Sequence, residues 1–157
     1  MKIRDKNDKN NVQHSNMKLM RYAMNITPIV RDFMDKSFIT FTPDMNMNKV
    51  IDLLFKQKIT GAGVVDKNEK LVGVITEKDC LRFYVDEKHK SSAGSKVSDY
   101  MTKNVITIHP NLDIFSTASM FFEHVFRRLL VLENEQLVGQ ITRRDLLRAI
   151  RKINLPK

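Results

Sequence analysis

Two pairs of side chains in this chain stand at a spacing that suits a nucleotide. Thr76 and Asp79 are three residues apart, and Thr142 and Asp145 repeat the pair. Each Thr closes an apolar run, Leu71-Val72-Gly73-Val74-Ile75 in one case and Leu137-Val138-Gly139-Gln140-Ile141 in the other. Each stands where a helix should begin. A helix start offers unpaired backbone N–H groups and the positive end of the dipole, which suit a phosphate. The Thr hydroxyl can donate to a phosphate oxygen, and a carboxylate one turn in can accept from both hydroxyls of a vicinal diol such as ribose. The same Thr-x-x-Asp is also a variant of the capping box, in which hydroxyl and carboxylate satisfy backbone donors reciprocally. Spacing alone leaves both uses open. Lys78, Arg143 and Arg144 flank the two Asp residues. They are candidates for phosphate contacts, Arg being able to bind two oxygens at once, or they are ordinary charges on a helix surface.

Catalytic chemistry finds little to stand on. His14, His89, His109 and His124 are scattered and lack metal-ligand spacing. Cys80 follows Asp79 on a segment that turns apolar at Leu81 and Phe83, so it is expected to be a small buried hydrophobe. No Gly-rich phosphate loop of the kinase or ATPase type is present. We therefore expect no catalytic residue and no metal site.

The elements that must hold these residues come in duplicate. Val30-Arg31-Asp32-Phe33-Met34 matches Val97-Ser98-Asp99-Tyr100-Met101, and Ile39-Thr40-Phe41-Thr42-Pro43 matches Ile106-Thr107-Ile108-His109-Pro110, both at an offset of 67 that falls to 66 near Gln136. Such self-similarity has to be settled before any fold is assigned. In the first copy, Phe38–Phe41 is expected to be a strand. Asn46 is an N-cap, and Met47, Val50, Ile51 and Leu54 give helical spacing. Ala62–Asp66 and Lys70–Ile75 form a hairpin around Lys67-Asn68-Glu69, and Glu77–Val85 is a second helix. The second copy predicts a strand over 105–108, Asp113 as N-cap, a helix over 114–124, strands over 129–133 and 136–141, and a helix over 143–153. The order is β-α-β-β-α twice, a mixed α+β fold. A copy of this size buries too little surface to be robust alone. The two copies are therefore expected to pack around a pseudo-twofold axis with two equivalent clefts.

The doubled pattern, Gly-x-x-Thr-x-x-Asp after a hairpin with Val64-Val65-Asp66 or Val131-Leu132-Glu133, resembles the CBS family, named for cystathionine beta-synthase, and in particular a tandem CBS pair. Ile59-Thr60-Gly61-Ala62-Gly63 and Phe126-Arg127-Arg128-Leu129-Leu130 are similar to the family as well, and the likeness runs from about residue 30 to about residue 150. The resemblance implies a regulatory, energy-sensing module that takes an adenosine-containing ligand: AMP, ADP or ATP foremost, otherwise S-adenosylmethionine or NAD. It implies one cleft joining Thr76 and Asp79 to Thr107, Phe126, Arg127 and Arg128, and another joining Thr142 and Asp145 to Thr40, Ile59, Thr60 and Gly61. The family often has Pro before the second strand of the repeat, where Gly63 and Leu130 stand here. Arg128 replaces a common small residue, so one occupied site is expected rather than two.

Around this body the organisation expected is an N-terminal extension over 1–28, repeats over 29–86 and 97–153, a polar linker over 87–96 and a tail over 154–157. Residues 1–16 are polar enough to be expected disordered, and 17–27 are expected to form a short helix with Leu19, Met20, Ala23 and Met24 on one face. The net charge of +9 sits at the ends: residues 1–29 carry six Lys or Arg against two acids, and 143–157 six against one. Basic ends invite nucleic acid or keep a protein solvated; the second use is preferred. One cysteine, no span-length apolar run and no secretory signal point to the cytoplasm. Finally, Ile114, Phe115, Ala118, Phe121, Phe122, Val125 and Phe126 make an apolar stripe wider than one buried face requires. Part of it is expected to mediate a homodimer. A protein effector, or an adaptor role with empty clefts, completes the expectations.

Overall fold

The computed structural model describes residues 2–3, 27–86 and 94–154, which fall into two compact units. Of these, the first holds residues 2–3, 39–86, 94–105 and 135–137; the second holds 27–38, 106–134 and 138–154.

In the first unit, β2 (Ile39–Phe41) runs parallel to β3 (Gly61–Val65), and the crossover between them is α1 (Met47–Gln57). A parallel pair needs such a crossover because its strands cannot be joined by a tight turn. Asn46 starts α1: its side chain accepts from the Asn48 amide at 2.9 Å, as an N-cap does. Lys58 ends it in the left-handed region at φ 53°. Met47, Val50, Ile51 and Leu54, the positions with helical spacing, are the buried ones. β4 (Leu71–Thr76) returns antiparallel to β3. The Asp66 carboxylate holds the intervening turn by accepting from the amides of Asn68 and Lys70. α2 (Glu77–Val85) then covers the sheet. The sheet gains an outer strand, β1 (Lys2–Ile3), antiparallel to β2. This corrects the expected disorder at those two residues; the rest of 4–16, and the short helix expected over 17–27, lie outside the described residues. The core gathers Phe41, Val64, Ile75, Cys80 and Phe83 with the apolar face of α1.

The second unit repeats the plan. β5 (Thr107–Ile108) is parallel to β6 (Arg128–Glu133), and β7 (Gln136–Thr142), which belongs to this unit from Val138 on, completes the sheet order β5-β6-β7. β5 is shorter than the expected 105–108. Asn134 and Glu135, at φ 51° and 64°, form the two-residue connection that right-twisted hairpins favour. α4 (Ile114–Glu123) opens on Asp113, whose carboxylate accepts from the amides of Phe115 and Ser116 at 3.0 and 2.9 Å. α5 (Arg143–Asn154) follows β7 directly.

The matching segments that open the two copies sit in exchanged places. Val97–Tyr100, a single helical turn (α3), belongs to the first unit, and Val97 and Tyr100 are buried in its core. Thr102 exchanges two backbone hydrogen bonds with Val74 of β4, both 2.9 Å. The one-turn 3-10 helix Val30–Asp32 belongs to the second unit, where Val30, Phe33 and Met34 join the core and Asp35 exchanges two backbone bonds with Gln140 of β7. Arg31 anchors this segment by bonding both oxygens of Glu133, which holds that carboxyl below its usual range. Bare backbone makes the fit: a Cβ on Gly73 would lie 2.7 Å from Met101 Sδ, and one on Gly139 would lie 2.7 Å from Met34 Sδ. Strand glycines commonly mark such close approach.

Candidate functional site

Thr76 is the last residue of β4 and the N-cap of α2. It stands opposite Gly61 at the start of β3, and the Glu77 amide donates to the Thr60 carbonyl at 3.0 Å. Thr60, Gly61, Thr76 and the head of α2 therefore share one corner of the first unit. Gly61 is bare by necessity, since an added Cβ would lie 2.6 Å from the Ile75 carbonyl oxygen. Thr40 lies on the next strand, opposite Gly63.

Asp79 sits in the first turn of α2 and is only 6% exposed. Its Oδ2 accepts from the Thr76 amide at 2.9 Å and the Thr76 hydroxyl at 2.6 Å. The hydroxyl and carboxylate thus make the capping box that the spacing permits. The other oxygen, Oδ1, has the Arg82 guanidinium at 3.6 Å, an ion-pair distance too long for a hydrogen bond. That guanidinium donates instead to the Tyr100 carbonyl and lies 5.8 Å from the centre of the Tyr100 ring.

In the second unit Asp145 repeats the geometry around Oδ2, accepting from the Thr142 amide at 2.9 Å and hydroxyl at 2.6 Å. Its Oδ1 differs: Arg148 donates to it at 3.1 Å. Arg128, which holds the repeat position of Gly61, is half-buried and donates to Gln140 Oε1 at 3.0 Å. Phe126 stacks on His124 with ring centres 4.8 Å apart. Arg143 lies 5.9 Å from the centre of the Phe121 ring, within cation–π reach. Arg127 and Arg144 are exposed.

The expected residues thus divide by unit. Thr40, Ile59, Thr60, Gly61, Thr76, Lys78 and Asp79 lie in the first, and Thr107, Phe126, Arg127, Arg128, Thr142, Arg143, Arg144 and Asp145 in the second. Within a unit, the strand residues that accompany each Asp are those of its own repeat. Arg82 and Arg148 were not among the expected site residues. The signal for them was present: each stands three residues after the Asp, the spacing at which helix side chains meet.

Cys80 is 7% exposed, as expected of a buried thiol, and burial pushes its pKa up to about 11, with the neighbouring charges of Asp79 and Glu77 adding to the rise. Cys80 also lines an apolar groove of 580 Å³ between α1 and α2, walled by Ile51, Leu54, Phe55, Leu81 and Tyr84. On α4 the wide stripe divides: Ile114 and Phe121 are buried, whereas Phe115, Phe122 and, just past the helix, Val125 are exposed, the last two at 88% and 97%. Among the described residues no group of three or more His, Cys, Asp or Glu is placed to hold a metal ion, and no helix is long and apolar enough to cross a membrane.

Comparison with solved structures finds the same architecture. CBSX2 in complex with AMP is 30% identical, with a TM-score of 0.73 over 81% of this chain and 98% of that one. The CBS domain pair of protein MJ0100, in complex with 5-methylthioadenosine and S-adenosyl-L-methionine, is 25% identical, with a TM-score of 0.70 over 80% of this chain and 98% of that one. The inosine-5'-monophosphate dehydrogenase of Methanocaldococcus jannaschii is 29% identical over 140 residues, which are 87% of this chain and 27% of the enzyme. An uncharacterized protein of the same archaeon is matched over 42% of its length, so the chain spans less than half of either relative. The model of the CBS domain matches twice, over residues 30–86 and 97–152. With a Thr-x-x-Asp turn at the head of a helix in each match, the chain belongs to the CBS domain family and carries its domain as a tandem pair.

Proposed function

We propose that this chain is a non-catalytic regulatory module that takes an adenosine-containing ligand and passes the bound state to a partner protein. AMP, ADP and ATP are the foremost ligands, followed by S-adenosylmethionine and NAD. The observation that carries this reading is the duplicated corner in which a Thr hydroxyl and an Asp carboxylate meet at 2.6 Å at the head of a helix. The ribose hydroxyls donate to the carboxylate, and the Thr hydroxyl turns from the carboxylate to a phosphate oxygen over the helix N-terminus. The first unit contributes Thr40, Ile59, Thr60, Gly61, Thr76, Lys78 and Asp79. The second contributes Thr107, Phe126, Arg127, Arg128, Thr142, Arg143, Arg144 and Asp145. The solved pairs holding AMP and S-adenosyl-L-methionine support the ligand class. Binding shifts the balance between two packings of the pair, the form in which a partner reads it.

A thermal-shift screen against AMP, ADP, ATP, S-adenosylmethionine, NAD and GTP tests this. A ligand at 100 times its dissociation constant adds about 2.7 kcal/mol to stability, a rise of several degrees. We expect that rise with an adenosine ligand and none with GTP. The double variant Asp79→Ala with Asp145→Ala should lose it, each lost charged hydrogen bond weakening binding by about 1–3 kcal/mol. No shift with any of the six would turn the reading to an adaptor whose sites stay empty.

A further inference from the structure

The two Asp corners share their Oδ2 geometry and differ at Oδ1. In the first unit Oδ1 of Asp79 has Arg82 at 3.6 Å, and the Arg82 guanidinium is committed to the Tyr100 carbonyl and ring. In the second unit the equivalent Arg148 donates directly to Oδ1 of Asp145 at 3.1 Å. Asp145 thereby accepts from three side-chain and backbone donors, Asp79 from two. A carboxylate has a limited set of lone-pair directions, so a diol arriving at Asp145 meets a donor already in place.

Resting on the adenosine-ligand reading above, we infer that Arg148 is a built-in competitor of the ligand at Asp145, so that the first unit loads first and the second fills only when Arg148 is displaced. Arg148 stands in for a ribose hydroxyl: it supplies a hydrogen-bond donor to the same oxygen. Its side chain is 56% exposed, so it can swing into water without disturbing the core. Exposed ion pairs of this kind hold only weakly. The competition therefore sets an order of filling and does not close the site. The pair becomes a sensor with two thresholds: one low, at Asp79, and one several times higher, at Asp145.

The test uses the full chain with AMP as the probe, titrated by calorimetry. In the Asp79→Ala background, which leaves the corner at Asp145, Arg148→Met should tighten AMP binding about two- to fivefold, the range an exposed ion pair supplies. In the Asp145→Ala background, Arg82→Met should change binding less than twofold. Because the Asp substitutions remove a helix cap, a third arm keeps both Asp residues: Arg148→Met in the otherwise unaltered chain should bring the two dissociation constants closer together. Unchanged or weaker binding on Arg148→Met, with the parent still binding AMP, overturns the competitor role; weaker binding would make Arg148 a ligand contact. Failure of the unaltered chain to bind AMP or any other adenosine compound overturns the adenosine reading itself, and this inference with it.

Discussion

One carboxylate oxygen decides what a Thr-x-x-Asp turn is for. In both units Oδ2 is consumed by the Thr amide and hydroxyl, so the motif is a cap before it is anything else. The cap was legible in the sequence, because three-residue spacing at a helix start has few other outcomes. The fate of Oδ1 was not: it turns on whether Arg82 or Arg148 finds a better acceptor nearby, and a backbone carbonyl such as that of Tyr100 leaves no mark on residue type. Cys80 is the neighbouring case in which the sequence sufficed. Its flanking Leu81 and Phe83 indicated an apolar setting, and it is buried in the core of the first unit. With its pKa near 11, only about 0.1% of the folded thiol is ionised at pH 8, against about a quarter of an ordinary one. Iodoacetamide at pH 8 should therefore label the native chain far more slowly than the same chain in urea. The sign of the linkage follows. The unfolded thiol ionises first as pH rises past its ordinary range, so its contribution to stability is complete below about 8.5 and is lost as pH climbs toward 11. Equal labelling rates folded and unfolded would place the thiol at the surface.

At the scale of elements, the helices and hairpins were written plainly. Asn46 and Asp113 cap where expected, α2 has the limits its periodicity gave, and the hairpin turns fall at 66–70 and 134–135. Period and cap chemistry are local, so they survive in a single sequence. What was hidden is non-local. The pairing of β1 with β2 joins residue 2 to residue 40, and nothing in Lys2-Ile3 announces a partner so distant. The destination of the segments 30–34 and 97–101 was equally invisible, although their match was noticed. Gly73 and Gly139 were visible as glycines but not as contact points for Met101 and Met34. Gly73→Val and Gly139→Val should each destabilise the chain by about 1–3 kcal/mol, the usual cost of overpacking a filled site, measured as a lower urea midpoint. A midpoint unchanged within error would mean that the Met side chain moves aside without cost.

For the whole molecule, the exposed apolar residues are too many to leave in water by design. Phe122 and Val125 in the second unit, and Phe55, Leu81 and Val85 in the first, stand more than half exposed, and apolar side chains that gather on a surface mark association sites. We propose a homodimer through these helix faces. Sedimentation velocity at tens of micromolar should show twice the chain mass, and Phe122→Ser with Val125→Ser should shift the population toward monomer without lowering helical content. A monomer throughout would end that proposal. We propose repeats over 29–86 and 97–153; each compact unit takes segments from both of them.

That exchange bears on how such a chain can come into being. A lone ancestral copy, cut at 86, would own an opening segment whose place is in the other unit, and its own unit would lack the turn that Val97–Tyr100 now supplies. It would complete itself only by trading segments with a sibling. The duplicated gene, on this view, is a covalently fused dimer, and its two halves expressed as separate polypeptides should reassemble by reciprocal lending of their first turns.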